Sequence, residues 1–459
     1  MSIMRKSILE KIFSMPAEVL EKSVELEHEI KDDIENQKTV KEAKEYWKTL
    51  GPGLTTGAAD DDPSGIATYS QMGASRGFNL IWLSLFSFPL MAVVQEMCAR
   101  IGLATGVGLA TNIKRHFSKK VLYFCVVLLL FANVFNIGAD LGAMAKGTQL
   151  IFPKLNFIFL VIGFAVLSLG LQIFIPYKKY SKYLKYLALI LLAYVITAFY
   201  VNINWGDVFR HLIVPTVSFT KDEIILICAA FGTTISPYLF FWQTSQEVEE
   251  QIEKGERTEE KRKTMTTDMD IRKMRIDVWS GMFFSNLIMF FIIATCAAAL
   301  FTNGITNIGT AADAAQALRP FAGDFAFGLF AIGILGVGLL AIPVLAGSAS
   351  YAMSEAFNWK TGLYRKLKQA TSFYGVIIIA MILGIGLNFI GLDPIKALIY
   401  SAVLNGVISP VIIFFIVRLG SSEEVMGRFK NKKVANVLGW FTVLLLSIVS
   451  IGTIIFIFV

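Results

Sequence analysis

The sequence predicts an all-α polytopic membrane protein. Three observations carry that reading. Of 459 residues, 55% are hydrophobic, and the mean hydropathy is positive. Apolar runs of about 20 residues recur along the chain, the length that crosses a bilayer as a helix. Two of those runs are interrupted in their middles, at Asp62-Pro63 and at Ser236-Pro237. A soluble chain of this length would instead divide into domains joined by polar linkers.

Residues 1–48 are polar and charged, without the apolar core of a signal peptide. They read as a cytoplasmic N-terminal arm. Residues 49–459 read as one transmembrane domain of eleven helices, near 49–72, 79–103, 119–145, 157–175, 184–203, 223–245, 277–301, 325–350, 371–390, 395–417 and 435–459.

The first span contains Ala58-Ala59-Asp60-Asp61-Asp62-Pro63-Ser64-Gly65. One charged side chain at mid-bilayer costs about 2.5–3.5 kcal/mol on insertion scales. Proline removes a backbone donor and disfavours helix at the residue before it. Such a break is tolerated at membrane depth only where it is buried in protein or lines a polar cavity. The sixth span carries the answering break, Gly232-Thr233-Thr234-Ile235-Ser236-Pro237.

Basic residues fix the orientation. Lys114, Arg115, Lys119 and Lys120 follow span two, and Lys178, Lys179, Lys182 and Lys185 follow span four. Arg257 through Arg275 contribute seven more after span six, and further clusters follow spans eight and ten. The intervening loops hold only scattered ones. The N-terminus is therefore expected in the cytoplasm and the C-terminus outside. Span one then enters from the cytoplasm and span six from outside, so two halves, about 49–203 and 223–417, run in opposite senses. Interrupted helices at matching positions of inverted halves point to a transport site. A half-helix ending at mid-membrane presents carbonyls and a negative dipole end. Two such ends plus an aspartate suit a cation.

Composition excludes other classes. The net charge of +7 comes from alternating loops, not one face, so no nucleic-acid partner is expected. Cys98, Cys125, Cys228 and Cys296 lie in apolar spans without metal-ligand spacing and read as buried small hydrophobes. His28, His116 and His211 lie outside every span. No nucleophile or nucleotide motif marks an enzyme, and no obligatory protein partner is evident. Partners reduce to a cation and the lipid bilayer of the plasma membrane, with no cofactor.

Leu50-Gly51-Pro52-Gly53, the Asp62-Pro63 break, Gln71-x-Gly73-Ala74, Gly77, Leu80-x-Trp82 and Gln95…Ala99-Arg100-Ile101-Gly102…Thr105-Gly106 together resemble the opening of the NRAMP divalent-metal transporters. The likeness continues through Ala139-Asp140-Leu141 and the break in span six. It implies a LeuT-like inverted 5+5 helix repeat, with spans one and six broken, plus an eleventh helix.

The departures are chemical. The family's Asp-Pro-Gly-Asn reads Asp62-Pro63-Ser64-Gly65, so Gly65 stands where an asparagine ligand is implied. The family's Met-Pro-His-Asn reads Ser236-Pro237-Tyr238-Leu239, so Ser236 replaces a methionine ligand and Tyr238 a histidine. A second histidine position falls on Gln243, and an acidic partner of Asp140 has become Ala143. A thioether favours soft transition metals, whereas Mg²⁺ takes oxygens and keeps several waters. The likeness is closest to the branch of NRAMP-related magnesium transporters.

Asp62 is the expected direct ligand. Successive helical residues point about 100° apart, so Asp60, Asp61 and Asp62 do not all face one ion. Asp61 is assigned to the vestibule or a second hydration shell. Ala59 and Thr233 are candidates through their carbonyls and Ser236 through its hydroxyl. Asn405 reads as a core amide before it reads as a ligand. Asp140 either lines an aqueous path or pairs with Lys146, and Glu96 with Arg100 reads as a structural pair. The expected function is import of hydrated Mg²⁺, and also Mn²⁺, by alternating access without proton coupling. The alternative is a proton-coupled Mn²⁺/Fe²⁺ symporter. An amino-acid transporter is disfavoured by Asp62, and a cation channel by inverted halves within one chain.

Overall fold

Each interrupted span is two helices in a computed structural model, which describes residues 46–47, 49–175, 179, 183, 186, 188–308, 311–391 and 394–458. Nearly all of the expected N-terminal arm and residues 184–185 and 187 of span five lie outside these. All regular structure among the described residues is helical.

Span one divides into α1 (Pro52–Asp60) and α2 (Pro63–Arg76). Both begin with proline, whose missing N–H costs nothing at a first helical position. Asp62 caps α2, its side chain accepting from the Gly65 amide. Spans two to five give α3 (Trp82–Thr105), α5 (Lys119–Ile151), α6 (Phe157–Phe174) and α7 (Leu192–Ala198). Between α3 and α5 lies a short helix that the apolar pattern missed, α4 (Leu109–His116). Its Leu109, Ala110 and Ile113 are buried while Arg115 is exposed, so it never forms a membrane-length apolar run. A second missed helix, α8 (Trp205–Ile213), buries only Val208.

Span six divides into α9 (Lys221–Thr234) and α10 (Pro237–Glu253), and a short α11 (Glu259–Met265) follows. The last spans are α12 (Asp268–Ala299), α13 (Ala311–Ala356), α14 (Thr371–Leu387), α15 (Pro394–Ser421) and, after the single turn α16 (Glu423–Met426), α17 (Lys433–Phe458). The helix through α13 is interrupted at Gly323, where φ is +81°. Among the described residues, eight helices are long and apolar enough to cross a membrane, counting the two halves of span six as one, and the apolar α14 has 17 residues.

Small residues set how closely the broken helices approach their supports. A side chain at Gly57 of α1 would run into the backbone of Gly281 on α12. Gly232 of α9 meets the backbone of α15 at Ala402 and Gly406 in the same way. Asp277 of α12 holds the start of α1, accepting from the amides of Gly51 and Gly53 at 2.7 Å each and of Leu54 at 3.1 Å. That places the end of α1, about two turns along, against Ser285 of α12. The cysteines are all free and buried, as small hydrophobes.

Candidate functional site

The two breaks meet in the core. Asp60, Asp61, Asp62, Thr233 and Ser236 are all at most 2% exposed. Asp61 and Asp62 leave the helical region, with ψ of 48° and 172°, and Asp62 turns away from the side on which Asp60 meets Ser285.

Asp62 faces α5 and α10. Its Oδ1 accepts from Ser64 Oγ at 2.6 Å and from the Gly65 amide at 2.8 Å. Its Oδ2 accepts from Asn136 Nδ2 at 2.8 Å and lies 3.4 Å from the Tyr238 hydroxyl. Ser401 Oγ of α15 donates to Asn136 Oδ1 at 2.8 Å, so the amide of Asn136 is oriented with its nitrogen toward Asp62. Asp60 turns the other way and accepts from Ser285 Oγ at 2.8 Å. Asp60 Oδ1 and both oxygens of Asp61 are buried without a hydrogen-bond partner.

The break carbonyls are not free, as half-helix ends by themselves would be. Tyr238 donates to the Ala59 carbonyl at 2.9 Å. Ser236 Oγ donates to the Gly232 carbonyl at 2.6 Å and the Thr233 carbonyl at 2.8 Å. Ser409 of α15 donates to the Ile235 carbonyl at 2.5 Å. Each carbonyl and each hydroxyl keeps a further lone pair for a cation. Thr233 also donates its hydroxyl to the Ala230 carbonyl and meets the Tyr69 hydroxyl at 3.0 Å. Gly65 stands beside the Asp60 carbonyl and Asp62 Oδ1, where an added Cβ would be 3.3 and 3.6 Å from them. Among the described residues, no three His, Cys, Asp or Glu side chains group as a metal cage. The arrangement is a set of oxygen donors of mixed kind, suited to a hard and partly hydrated cation.

Asp140 of α5 is wholly buried, its two oxygens without hydrogen-bond partners, within electrostatic reach of Asp62. The pairing with Lys146 is not made. Lys146 lies over the Phe157 ring, 5.4 Å from its centroid. Asn405 is buried, and its Oδ1 has no partner. Glu96 and Arg100 do approach, at 3.7 Å, but Arg275 at 2.9 Å is the closer partner of Glu96, and Trp279 also donates to it.

The sequence reading left Asn136 and Ser285 out of the site. One signal was available for Asn136: Asn133, Asn136 and Asp140 share a helical face within an apolar span. Nothing local marked Ser285.

Two cavities lie away from the junction. One of about 720 Å³ is bordered by Gln71, Arg76, Asp222 and Lys396. Another of about 240 Å³ lies among Glu249, Arg262, Tyr351 and Glu355. Neither is lined by Asp60, Asp61 or Asp62.

The family model for natural resistance-associated macrophage protein-like sequences (Nramp) matches residues 53–456. The chain belongs to the Nramp family. A Klebsiella pneumoniae relative named divalent metal cation transporter MntH is 25% identical over 428 residues, spanning 89% of this Nramp chain and 94% of the relative. A protein of the same name from Caldanaerobacter subterraneus is 24% identical over 409 residues, spanning 87% and 90%. These relatives are named as transporters, not enzymes. In that class the metal is cargo and not a cofactor. The crystal structure of an Eremococcus coleocola manganese transporter with an aromatic bis-isothiourea compound superposes with a TM-score of 0.71 at 19% identity, covering 89% of this chain and 87% of that one. The nucleobase-cation-symport-1 transporter Mhp1 in a closed conformation gives 0.53 at 14% identity, covering 88% and 92%. The Nramp chain thus has the LeuT-like fold that its motifs implied.

Proposed function

We propose that the chain is a secondary transporter that imports hydrated divalent cations, chiefly Mg²⁺ and also Mn²⁺, by alternating access, without obligatory proton movement. The observation that carries this reading is the donor set at the junction of the two breaks. Asp62, the Ala59 and Thr233 carbonyls and the Ser236 hydroxyl are all oxygens, and Gly65 adds no side chain. Oxygen donors favour hard ions, and a trimmed site leaves room for retained waters. In this reading the chain belongs with the magnesium branch of the family and sits in the plasma membrane, N-terminus cytoplasmic and C-terminus outside, as the basic loops favour.

An interior at −100 mV supplies about 2.3 kcal/mol per charge, so about 4.6 kcal/mol for a divalent ion. At about 1.4 kcal/mol per factor of ten, that is on the order of a thousandfold accumulation. Proton coupling is not required for uptake from dilute medium.

Asp140 favours a second reading. A buried carboxylate without a hydrogen-bond partner beside Asp62 is the natural carrier of a proton in a Mn²⁺/Fe²⁺ symporter. Ion uptake into proteoliposomes separates the two, comparing Mg²⁺, Ca²⁺ and Mn²⁺ with internal pH recorded and the potential clamped. Mg²⁺ entry without acidification is expected. Acidification that tracks Mg²⁺ entry and vanishes in Asp140→Asn would overturn the uncoupled reading. Absence of uptake for every divalent ion would overturn the transport reading itself.

A further inference from the structure

The geometry points to a second divalent-cation site, built on Asp60 and Asp61 and separate from the one on Asp62. It rests on the divalent-cation reading above. Both oxygens of Asp62 have structural partners: they take the Ser64 hydroxyl, the Gly65 amide and the Asn136 amide, with the Tyr238 hydroxyl close by. Asp60 and Asp61 have no such structural employment. Both are wholly buried, and of their four oxygens only Asp60 Oδ2 is hydrogen-bonded, by Ser285. Among the described residues, no lysine, arginine or histidine forms a salt bridge with either.

An uncompensated charge in the core is among the costliest things a fold can hold, and buried carboxylates are ordinarily paired or coordinate metals. Two adjacent carboxylates repel each other, and one divalent cation neutralises both. The three unpartnered oxygens, together with the remaining lone pairs of Ser285 Oγ, form a hard-oxygen donor set. With two acids and no third, the ion keeps waters and exchanges readily.

The register of α1 on α12 makes this site distinct. Gly53 sits against Asp277 and Val278, Gly57 against Gly281, and one further turn brings Asp60 to Ser285. Asp62, beyond the break, faces Asn136 on α5 and Tyr238 on α10 instead. Two ions at neighbouring sites favour release, because each weakens the hold on the other.

The test counts ions on the full chain, purified in detergent, with Mn²⁺ as the spectroscopic probe. Equilibrium dialysis and electron paramagnetic resonance are expected to give two bound Mn²⁺ per chain. Asp61→Asn removes a charge from a side chain that makes no hydrogen bond, so folding is retained, and one of the two ions is lost. Asp60→Asn/Asp61→Asn gives the same loss, and Asp62→Asn loses the other ion. One Mn²⁺ per wild-type chain, abolished by Asp62→Asn, overturns the second site and leaves the transport reading intact. Two ions persisting in the Asp60→Asn/Asp61→Asn protein, or in Asp61→Asn alone where the double variant does not fold, also overturn it. A folded wild-type chain that binds no Mn²⁺ and takes up no divalent ion sinks both readings.

Discussion

Asp62 caps α2 and faces the candidate ion site, and two substitutions separate those tasks. Asp62→Ala removes the acceptor for Ser64 Oγ, the Gly65 amide and Asn136 Nδ2. Each buried donor left alone costs about 1–3 kcal/mol. With partial relaxation the total is about 3–5 kcal/mol, as when one partner of a buried charged network is removed. Asp62→Asn keeps one oxygen for Ser64 and Gly65 and removes the charge. Its new amide nitrogen faces Asn136 Nδ2, a donor that cannot turn around without breaking the bond from Ser401. That clash is worth about 1–2 kcal/mol. The Ala variant should therefore unfold far earlier than the Asn variant in SDS titrations of mixed micelles. The Asn variant should remain folded and lose Mg²⁺ uptake by at least about a hundredfold, the effect of about 2.7 kcal/mol less hold on the ion. Uptake at the wild-type rate in Asp62→Asn would remove Asp62 from the ion path. An Ala variant as stable as the parent would refute the capping role.

Three further outcomes are expected. Asp277→Ala releases three amides at the start of α1, and a loss of about 3 kcal/mol there should speed hydrogen exchange at Gly51, Gly53 and Leu54 about a hundredfold. Unchanged protection would mean that α1 is held by packing alone. Gly65→Asn/Ser236→Met adds an amide and a soft thioether and should tighten Cd²⁺ relative to Mg²⁺ in competition binding; no change would show that cavity size and hydration set selectivity. Hydrogen bonding to Arg115 pulls the Glu259 carboxyl down to about 2 from 4.5, and Lys263 assists. A lowered pKa contributes stability that is complete above about pH 4.5 and lost as pH falls toward 2. Because the pair is partly exposed, about 0.5–1 kcal/mol is expected, read as the difference in unfolding midpoint between the parent and Glu259→Gln at pH 6 that closes below pH 3.

The sequence by itself determined the class and both breaks, because these follow from local rules. Apolar length sets a membrane helix, and proline with clustered carboxylates stops one wherever the chain goes next. The motif departures at Gly65, Ser236 and Tyr238 were equally legible, since residue type alone fixes donor chemistry. The short helices α4 and α8 were not, because their apolar faces are too small to register as runs. The tertiary structure decided which carboxylate does what. The motif singled out Asp62, but the partners of the three carboxylates were not legible: Asp62 meets Asn136 and Tyr238. Asp60 meets Ser285, more than 200 residues away. It decided that the Ala59 and Gly232 carbonyls are already engaged, and that Lys146 stays away from Asp140. These are contacts between helices. Their register is set by glycine-to-backbone approach across α1 and α12 and across α9 and α15, which no window along one helix contains.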